Sequence, residues 1–270
     1  MIHGRRQLIR YIAPAAPATR HPATGQEPRL RPEIGFTPNW YRQALGIDFG
    51  ERYQTDPAYR REVVIAMREE LARRFPGTGI DGIDRPEPPD LLTGTYGACS
   101  VAAIYGIPIL YAPDNWPNCA HRYLSDVDFF TISNCLVNMV SPARYRDLLL
   151  PFDRKIAEAF GCLGIHNCAW TADPYRELYA EVPNLVYIDM GIDSDLPGAR
   201  AAFPHAHRAI VYTPMDVANK WLEALRADLE RIAREYAPCD LVAADIEAGT
   251  PDERVRDLLA ICDELGRISE

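Results

Sequence analysis

The residues best suited to chemistry in this sequence are His166 and Cys168, at the end of a short apolar run that begins at Leu163. In an extended strand, residues two positions apart point to the same side. An imidazole and a thiolate on one side supply half of a zinc site. The same pair is also typical of a buried cysteine beside a hydrogen-bonded histidine, without metal. The elements around the pair must decide between these interpretations.

A helix start follows this pair closely. Asp173 and Pro174 are a favoured combination for the cap and first turn of a helix. The candidate ligands therefore stand at the C-terminal end of a strand, just before a helix. In α/β barrels this is the end that carries the active site.

Composition limits the classes of protein to consider. A chain of 270 residues with 47% hydrophobic and 25% charged residues is typical of a soluble globular protein. The formal net charge of -9 argues against nucleic-acid binding. No apolar run is long enough to span a membrane, and no signal-peptide core is present. The seven cysteines are scattered through apolar segments, which predicts free thiols in the cytoplasm.

The pattern of apolar residues divides the chain into a tail and one domain. Residues 1–35 are rich in Pro, Ala and Arg and predict a disordered tail, and residues 36–270 form the domain. Asp56-Pro57 predicts the start of a helix that runs to about Phe75. The predicted strands from Asp128 onward are residues 129–133, 164–168, 185–190, 209–213 and 241–246. The predicted helices are residues 142–160, 174–180, 196–203, 216–236 and 251–265. Such alternation indicates an α/β fold with a parallel sheet.

Polar side chains collect at one end of all five strands. In chain order they are Asn134 and Cys135, His166 and Cys168, Asp189, Tyr212, and Asp245 and Glu247. This is the layout of a barrel active site, although helix caps also place polar residues at strand ends. His166, Cys168, Asp245 and Glu247 lie within or beside apolar runs, where a charge is costly unless it is paired or ligated.

Three segments resemble the uroporphyrinogen decarboxylase superfamily, which includes zinc-dependent corrinoid methyltransferases. Residues 141–151 resemble its Ser-Pro-Glu-x-Phe/Tyr helix, and residues 164–168 resemble the His-x-Cys strand of the methyltransferase branch. Residues 244–251 resemble the last strand and the Thr-Pro helix start. The resemblance extends over nearly all of residues 36–270 and implies a (β/α)8 TIM barrel.

The resemblance implies a zinc site with a third ligand on the last strand. The methyltransferases have a cysteine there, whereas this sequence has Ala244-Asp245. Asp245 is therefore expected to join His166 and Cys168 as a metal ligand, with Glu247 as the next candidate. The implied reaction is methyl transfer from a methyl-corrinoid or similar donor, carried by a separate protein, to a thiol.

Further site residues are expected from their positions. The expected catalytic residues are Asn134, Asp189, Tyr212 and Glu247, and the aromatic residues expected to face a flat cofactor are Tyr96, Trp116 and Trp170. Ordinary packing is the competing interpretation of each aromatic residue. Cys135 is assigned a structural role, and its place at a strand end makes it the cysteine to reconsider.

The chain is short for a closed barrel. It has five clear strand–helix units and one further extended piece near Ile107, whereas a (β/α)8 barrel needs eight. In the family, further residues follow the element matched by residues 124–126, and here Asp126 runs directly into the next strand. We therefore expect an incomplete or open barrel of about five to six units, with an internal deletion after Asp126. An exposed sheet edge would suit a covering partner such as a homodimer.

Two other functions remain open. Residues 41–46 only partly match the arginine-rich motif of the decarboxylases, which argues against uroporphyrinogen as a substrate. A metal-independent, decarboxylase-like enzyme for another tetrapyrrole or a small acid would use His166 as a general acid and Asp245 or Glu247 as a base. A non-catalytic remnant is the third alternative.

Overall fold

A single parallel β-sheet organises the computed structural model, which describes residues 29–76 and 131–267. The six strands are β1 (Leu30–Phe36), β2 (Thr131–Ser133), β3 (Leu163–His166), β4 (Leu185–Gly191), β5 (His207–Val211) and β6 (Cys239–Ile246). Their order across the sheet is β1-β6-β5-β4-β3-β2, and every neighbouring pair is parallel. The sheet is open within the described residues, which confirms the predicted α/β fold of the incomplete barrel type.

The strand order is that of a barrel opened at one place. From β2 to β6, strands that are consecutive in the chain are neighbours in the sheet, and β1 pairs with the last strand, β6. The two edge strands of the sheet are β1 and β2, and residues 77–130 lie between them in the sequence. The extended piece near Ile107 and the deletion expected after Asp126 fall on those residues, outside the described part.

Helices cover the sheet between its strands. They are α1 (Pro38–Leu45), α2 (Glu51–Thr55), α3 (Pro57–Arg74), α4 (Pro142–Arg144), α5 (Leu150–Phe160), α6 (Arg176–Ala180), α7 (Leu196–Ala202), α8 (Pro214–Asn219), α9 (Leu222–Glu235) and α10 (Asp252–Arg267). A π-helical turn, Tyr145–Leu149, joins α4 to α5. In the described part of the chain, no helix is long and apolar enough to cross a membrane.

Local signals place most helix boundaries where the sequence predicts them. The Asp56 carboxylate accepts the backbone N–H groups of Ala58 and Tyr59 and so caps α3. The helix predicted over residues 216–236 is instead two helices, because the backbone at Lys220 is extended. Thr213 caps the first of them.

Strand β1 corrects the predicted boundary of the tail. Leu30 and Ile34 are buried in the core, and the Arg31 guanidinium bonds both carboxylate oxygens of Asp240 on β6 at 2.9 Å. Pro32 lacks an N–H donor, which an edge strand tolerates. Arg31, one of the charges that suggested a disordered segment, is thus paired with a residue 209 positions away. Residues 1–28 lie outside the described part of the chain.

The two faces of the sheet differ in composition. One face packs the main apolar core against the helices. The other, called the inner face below, carries a small buried cluster of Tyr187, Ala209, Val242 and Ala244. The strand register places Asp189 beside Ala209 and Ser133 beside His166 on this face. His166, one of the candidate ligands, therefore lies on the inner face at the C-terminal end of its strand.

Candidate metal centre

His166 and Cys168 meet through a tight turn. Strand β3 ends at His166, so the prediction that the strand includes Cys168 is wrong. Cys168 has φ 51°, a left-handed conformation that is uncommon outside glycine and recurs at functional sites. Trp170 N–H closes the turn on the Asn167 carbonyl, and His166 Nε2 lies 3.1 Å from Cys168 Sγ.

Cys135 reaches the same place from β2. This strand pairs with β3, and the Asn134 N–H donates to the His166 carbonyl at 2.7 Å. Cys135 Sγ therefore lies 2.8 Å from Cys168 Sγ. One ligand atom each from Cys135, His166 and Cys168 lie within 4.8 Å of one another. We call these three residues the Cys–His–Cys cluster. Cys135 therefore belongs to the candidate site and does not have the purely structural role predicted from the sequence.

Asp189 fixes the orientation of the histidine ring. It is 1% exposed at the end of β4, and its Oδ2 lies 2.6 Å from His166 Nδ1. Its Oδ1 accepts the Asn167 N–H at 2.7 Å. An ionised carboxylate only accepts hydrogen bonds, so Nδ1 carries the proton and Nε2 is left for the thiols. Ligand histidines at metal sites have this same carboxylate partner.

The cluster strongly perturbs its own protonation. Burial lowers the pKa of His166, but the Asp189 carboxylate and the hydrogen bonds to both thiols outweigh it and raise that pKa to about 12. The hydrogen bond with His166 lowers the pKa of Cys135, whereas burial raises the pKa of Cys168. The two thiols of the cluster are thus shifted in opposite directions, with the Cys135 thiol made easier to ionise and the Cys168 thiol harder.

These donors fit zinc. Two sulfurs and one imidazole nitrogen are ligands that zinc takes readily. Bonds of about 2.3 Å at tetrahedral angles would set ligand atoms about 3.7 Å apart. Cys168 Sγ lies closer than this to both partners, at 2.8 Å from Cys135 Sγ and 3.1 Å from His166 Nε2, so the ligand atoms would have to move apart by less than about 1 Å to take zinc. Three protein ligands leave one position open, as in catalytic zinc sites.

The ligand expected on the last strand lies elsewhere. Asp245 has φ 56° at an irregularity in the pairing of β6 with β1, and its side chain is exposed. Ala244, which offers no ligand, occupies the inner-face position at this strand end. Glu247 is exposed and accepts a hydrogen bond from the Thr37 hydroxyl at 3.2 Å. In the cluster that the structure assembles, Cys135 stands in place of Asp245.

The remaining expected site residues separate into two groups. Asn134 and Asp189 contact the cluster, and Trp170, with 54% of its surface exposed, follows Cys168 in the same turn. The buried Tyr212 hydroxyl instead donates to Asp228 on α9 at 2.7 Å, so it points toward that helix. The two remaining aromatic residues, Tyr96 and Trp116, lie outside the described residues.

Comparisons with known proteins leave the family unassigned. No family model matches the chain, and no curated protein matches it. Solved structures with similarity include a "methyltransferase from Methanosarcina mazei", with 16% sequence identity and a TM-score of 0.41. That match covers 50% of this chain and 41% of the other, so the chain spans less than half of that protein.

Proposed function

We propose that the Cys–His–Cys cluster binds zinc and that the protein uses it to activate a thiol for methyl transfer. The observation that carries the proposal is the convergence of Cys135 Sγ, Cys168 Sγ and His166 Nε2, with His166 Nδ1 held by Asp189. A set of three protein ligands with a carboxylate behind the histidine is typical of catalytic zinc.

Zinc at this site would supply a lowered pKa for a bound substrate thiol, which is then a thiolate at neutral pH. The protein would hold the ion through the three ligands and keep His166 Nδ1–H hydrogen-bonded to the Asp189 carboxylate. Two thiolate ligands favour a soft fourth ligand such as sulfur. As the new sulfur–carbon bond forms, the donor–methyl bond breaks and its electron pair stays on the donor. The thiol proton passes to solvent.

The donor and its carrier are proposals from the family resemblance. A methyl-corrinoid on a separate protein would approach the cluster from the side of Trp170, whose indole is exposed next to Cys168. The five described cysteines are free, which suits a reducing cytoplasm. A homodimer that covers an edge of the sheet remains part of this proposal.

Zinc content separates the structural ligand set from the one expected from sequence. We expect about one zinc per chain in the wild type and in Asp245→Ala, and loss of zinc in Cys135→Ser. Cys162→Ser is the matched control, because Cys162 is half-buried at the start of β3, outside the cluster. Zinc that is lost from Asp245→Ala but kept in Cys135→Ser would overturn the assignment of Cys135 as a ligand. Wild-type protein without zinc would overturn the proposed metal site itself.

Turnover tests the reaction class. Methylcobalamin and a small thiol serve as probes, and the loss of the methylcobalamin absorbance reports transfer. We expect turnover that disappears with a chelator and returns with added zinc. Zinc-loaded protein that transfers no methyl group to any of several thiols would contradict the reaction while leaving the metal site in place.

A metal-independent enzyme is the second candidate, and one observation favours it. Asp189, His166 and Cys168 form a hydrogen-bonded chain of carboxylate, imidazole and thiol, the groups that also make up a cysteine nucleophile with its histidine partner. The bases expected for a decarboxylase, Asp245 and Glu247, are exposed at the C-terminal end of β6 and directly after it, and two strands separate β6 from β3. The test uses protein that was purified without chelator and contains no zinc. Rapid labelling of Cys135 or Cys168 by iodoacetamide in this protein would favour the metal-independent alternative.

A further inference from the structure

The inner face carries a polar residue behind Asp189 that the proposed function does not use. Tyr187 lies two residues before Asp189 on β4 and is 1% exposed. Its hydroxyl donates to Asp189 Oδ2 at 3.0 Å, and the same oxygen takes His166 Nδ1 at 2.6 Å. The tyrosine is thus one hydrogen bond away from the group that orients the histidine.

The Tyr187 ring is itself held in place from the other side. It stacks on the His207 ring, with centroids 6.0 Å apart and planes 16° from parallel. His207 Nε2 bonds Asp240 at 2.5 Å, and Arg31 of β1 bonds the same carboxylate. Groups on β1, β5 and β6 therefore fix the ring from which the hydroxyl reaches Asp189.

We propose that Tyr187 is a positioning residue of the metal centre. Its hydroxyl holds the Asp189 carboxylate in one orientation, and that carboxylate keeps His166 Nε2 directed at the cluster. Donors reach both Asp189 oxygens, from Asn167 on one and from Tyr187 and His166 on the other. Without the hydroxyl, Oδ2 loses one of its donors in a buried site, and the orientation of the carboxylate is less tightly fixed. This inference rests on the proposed zinc function.

The variant Tyr187→Phe isolates the hydroxyl, because it keeps the ring and its stacking on His207. Removal of such outer partners weakens metal binding by about 10-fold to 100-fold. We expect a loss of about tenfold, because Asp189 keeps its Asn167 donor. Tyr236→Phe is the matched control, since Tyr236 is equally buried and its hydroxyl contacts the weak acceptor Met190 Sδ at 3.8 Å.

The measurement is the zinc Kd, by competition with a chromophoric chelator, together with the visible spectrum of Co²⁺-substituted protein. We expect weaker zinc binding and shifted Co²⁺ bands in Tyr187→Phe, and no change in Tyr236→Phe. Unchanged binding in Tyr187→Phe, even with a lowered Tm, would assign the residue to packing and overturn the proposal. Equal losses in both variants would overturn it as well.

A double-mutant cycle tests the route through Asp189. In an Asp189→Asn background, Tyr187→Phe should cause little further loss of zinc affinity, because the two residues act in series. A full additional loss would contradict the proposed route. Wild-type protein that binds no metal would remove the proposed function and this inference together, whereas metal-loaded wild type with unaffected Tyr187→Phe removes the inference alone.

Discussion

Two histidine–aspartate pairs on the inner face have nearly the same separation and different surroundings, with His166 buried and His207 half-buried. His166 lies 2.6 Å from Asp189, and His207 lies 2.5 Å from Asp240. Both aspartates are almost fully buried, at 1% and 2% exposure. The Arg31 guanidinium neutralises Asp240, whereas two thiols stand on the far side of His166. A histidine close to a buried aspartate is therefore not by itself a functional signal, because the further partners of the pair decide its role.

The positions of the pairs along the strands agree with this difference. His166 and Asp189 lie toward the C-terminal ends of β3 and β4. His207 and Asp240 lie at the N-terminal ends of β5 and β6. In barrel proteins the C-terminal ends of the strands carry the active site, and residues at the N-terminal ends contribute to stability. We accordingly expect substitutions in the two pairs to affect different measurements.

The largest expected effect is on metal binding at the first pair. His166→Gln should weaken zinc binding by at least about 100-fold, because it removes a ligand as well as its orientation. His207→Gln, which does not touch the cluster, should stay within about tenfold of the wild type. Zinc titrations of the folded proteins measure both. Equal losses in the two variants would abolish the distinction between the pairs.

The next effect is on stability at the second pair. Asp240→Asn removes the carboxylate that Arg31 and His207 share. Because both partners are partly exposed and Arg31 also pairs with Glu33, the cost should be about 2 kcal/mol, below that of a fully buried pair. Urea unfolding should show this loss, while zinc per folded chain stays at the wild-type value. Glu253→Gln, on an exposed residue, is the control. Wild-type stability in Asp240→Asn would show that the second pair does not hold the fold together.

Acidic pH should reduce the contribution of the Asp240 carboxylate to stability. Burial raises the pKa of Asp240, but the hydrogen bonds and charges of His207 and Arg31 outweigh it and hold that pKa below its ordinary value. A lowered carboxyl pKa adds stability above the unfolded pKa of about 3.9, and this stability is lost as the pH falls through the folded pKa. The free-energy difference between wild type and Asp240→Asn should therefore shrink below about pH 4. A constant difference would contradict this account.

The smallest effect is expected at Tyr212, outside both pairs. Tyr212→Phe loses one hydrogen bond to Asp228 and should cost about 1 kcal/mol of unfolding free energy. Zinc affinity and turnover should not change. Turnover that falls sharply in zinc-loaded, stable Tyr212→Phe would restore the catalytic role expected from its strand-end position.

Local sequence signals predict much of this fold. Apolar runs and cap residues place the strands and helices after residue 130 within a few positions, because the signals lie inside each element. His166 and Cys168 are also found locally, since they are two residues apart. The turn that joins them, with Cys168 at φ 51°, is not visible in that spacing.

Contacts between distant parts of the chain explain the differences. Cys135 enters the cluster because β2 pairs with β3, and its position at a strand end is the one sequence signal for this role. Asp245 is displaced because the pairing of β6 with β1 is irregular there. Strand β1 resembles a tail in sequence because Arg31 meets its partner Asp240 only across the folded sheet.

Zinc K-edge X-ray absorption on the purified protein identifies the zinc ligands directly. We expect two sulfur ligands at about 2.3 Å and one imidazole nitrogen at about 2.0 Å, with a light atom or an added thiol in the fourth position. Cys135→Ser should lose one of the two sulfurs. One sulfur together with a carboxylate in the wild type would contradict the account and return the third ligand to the last strand.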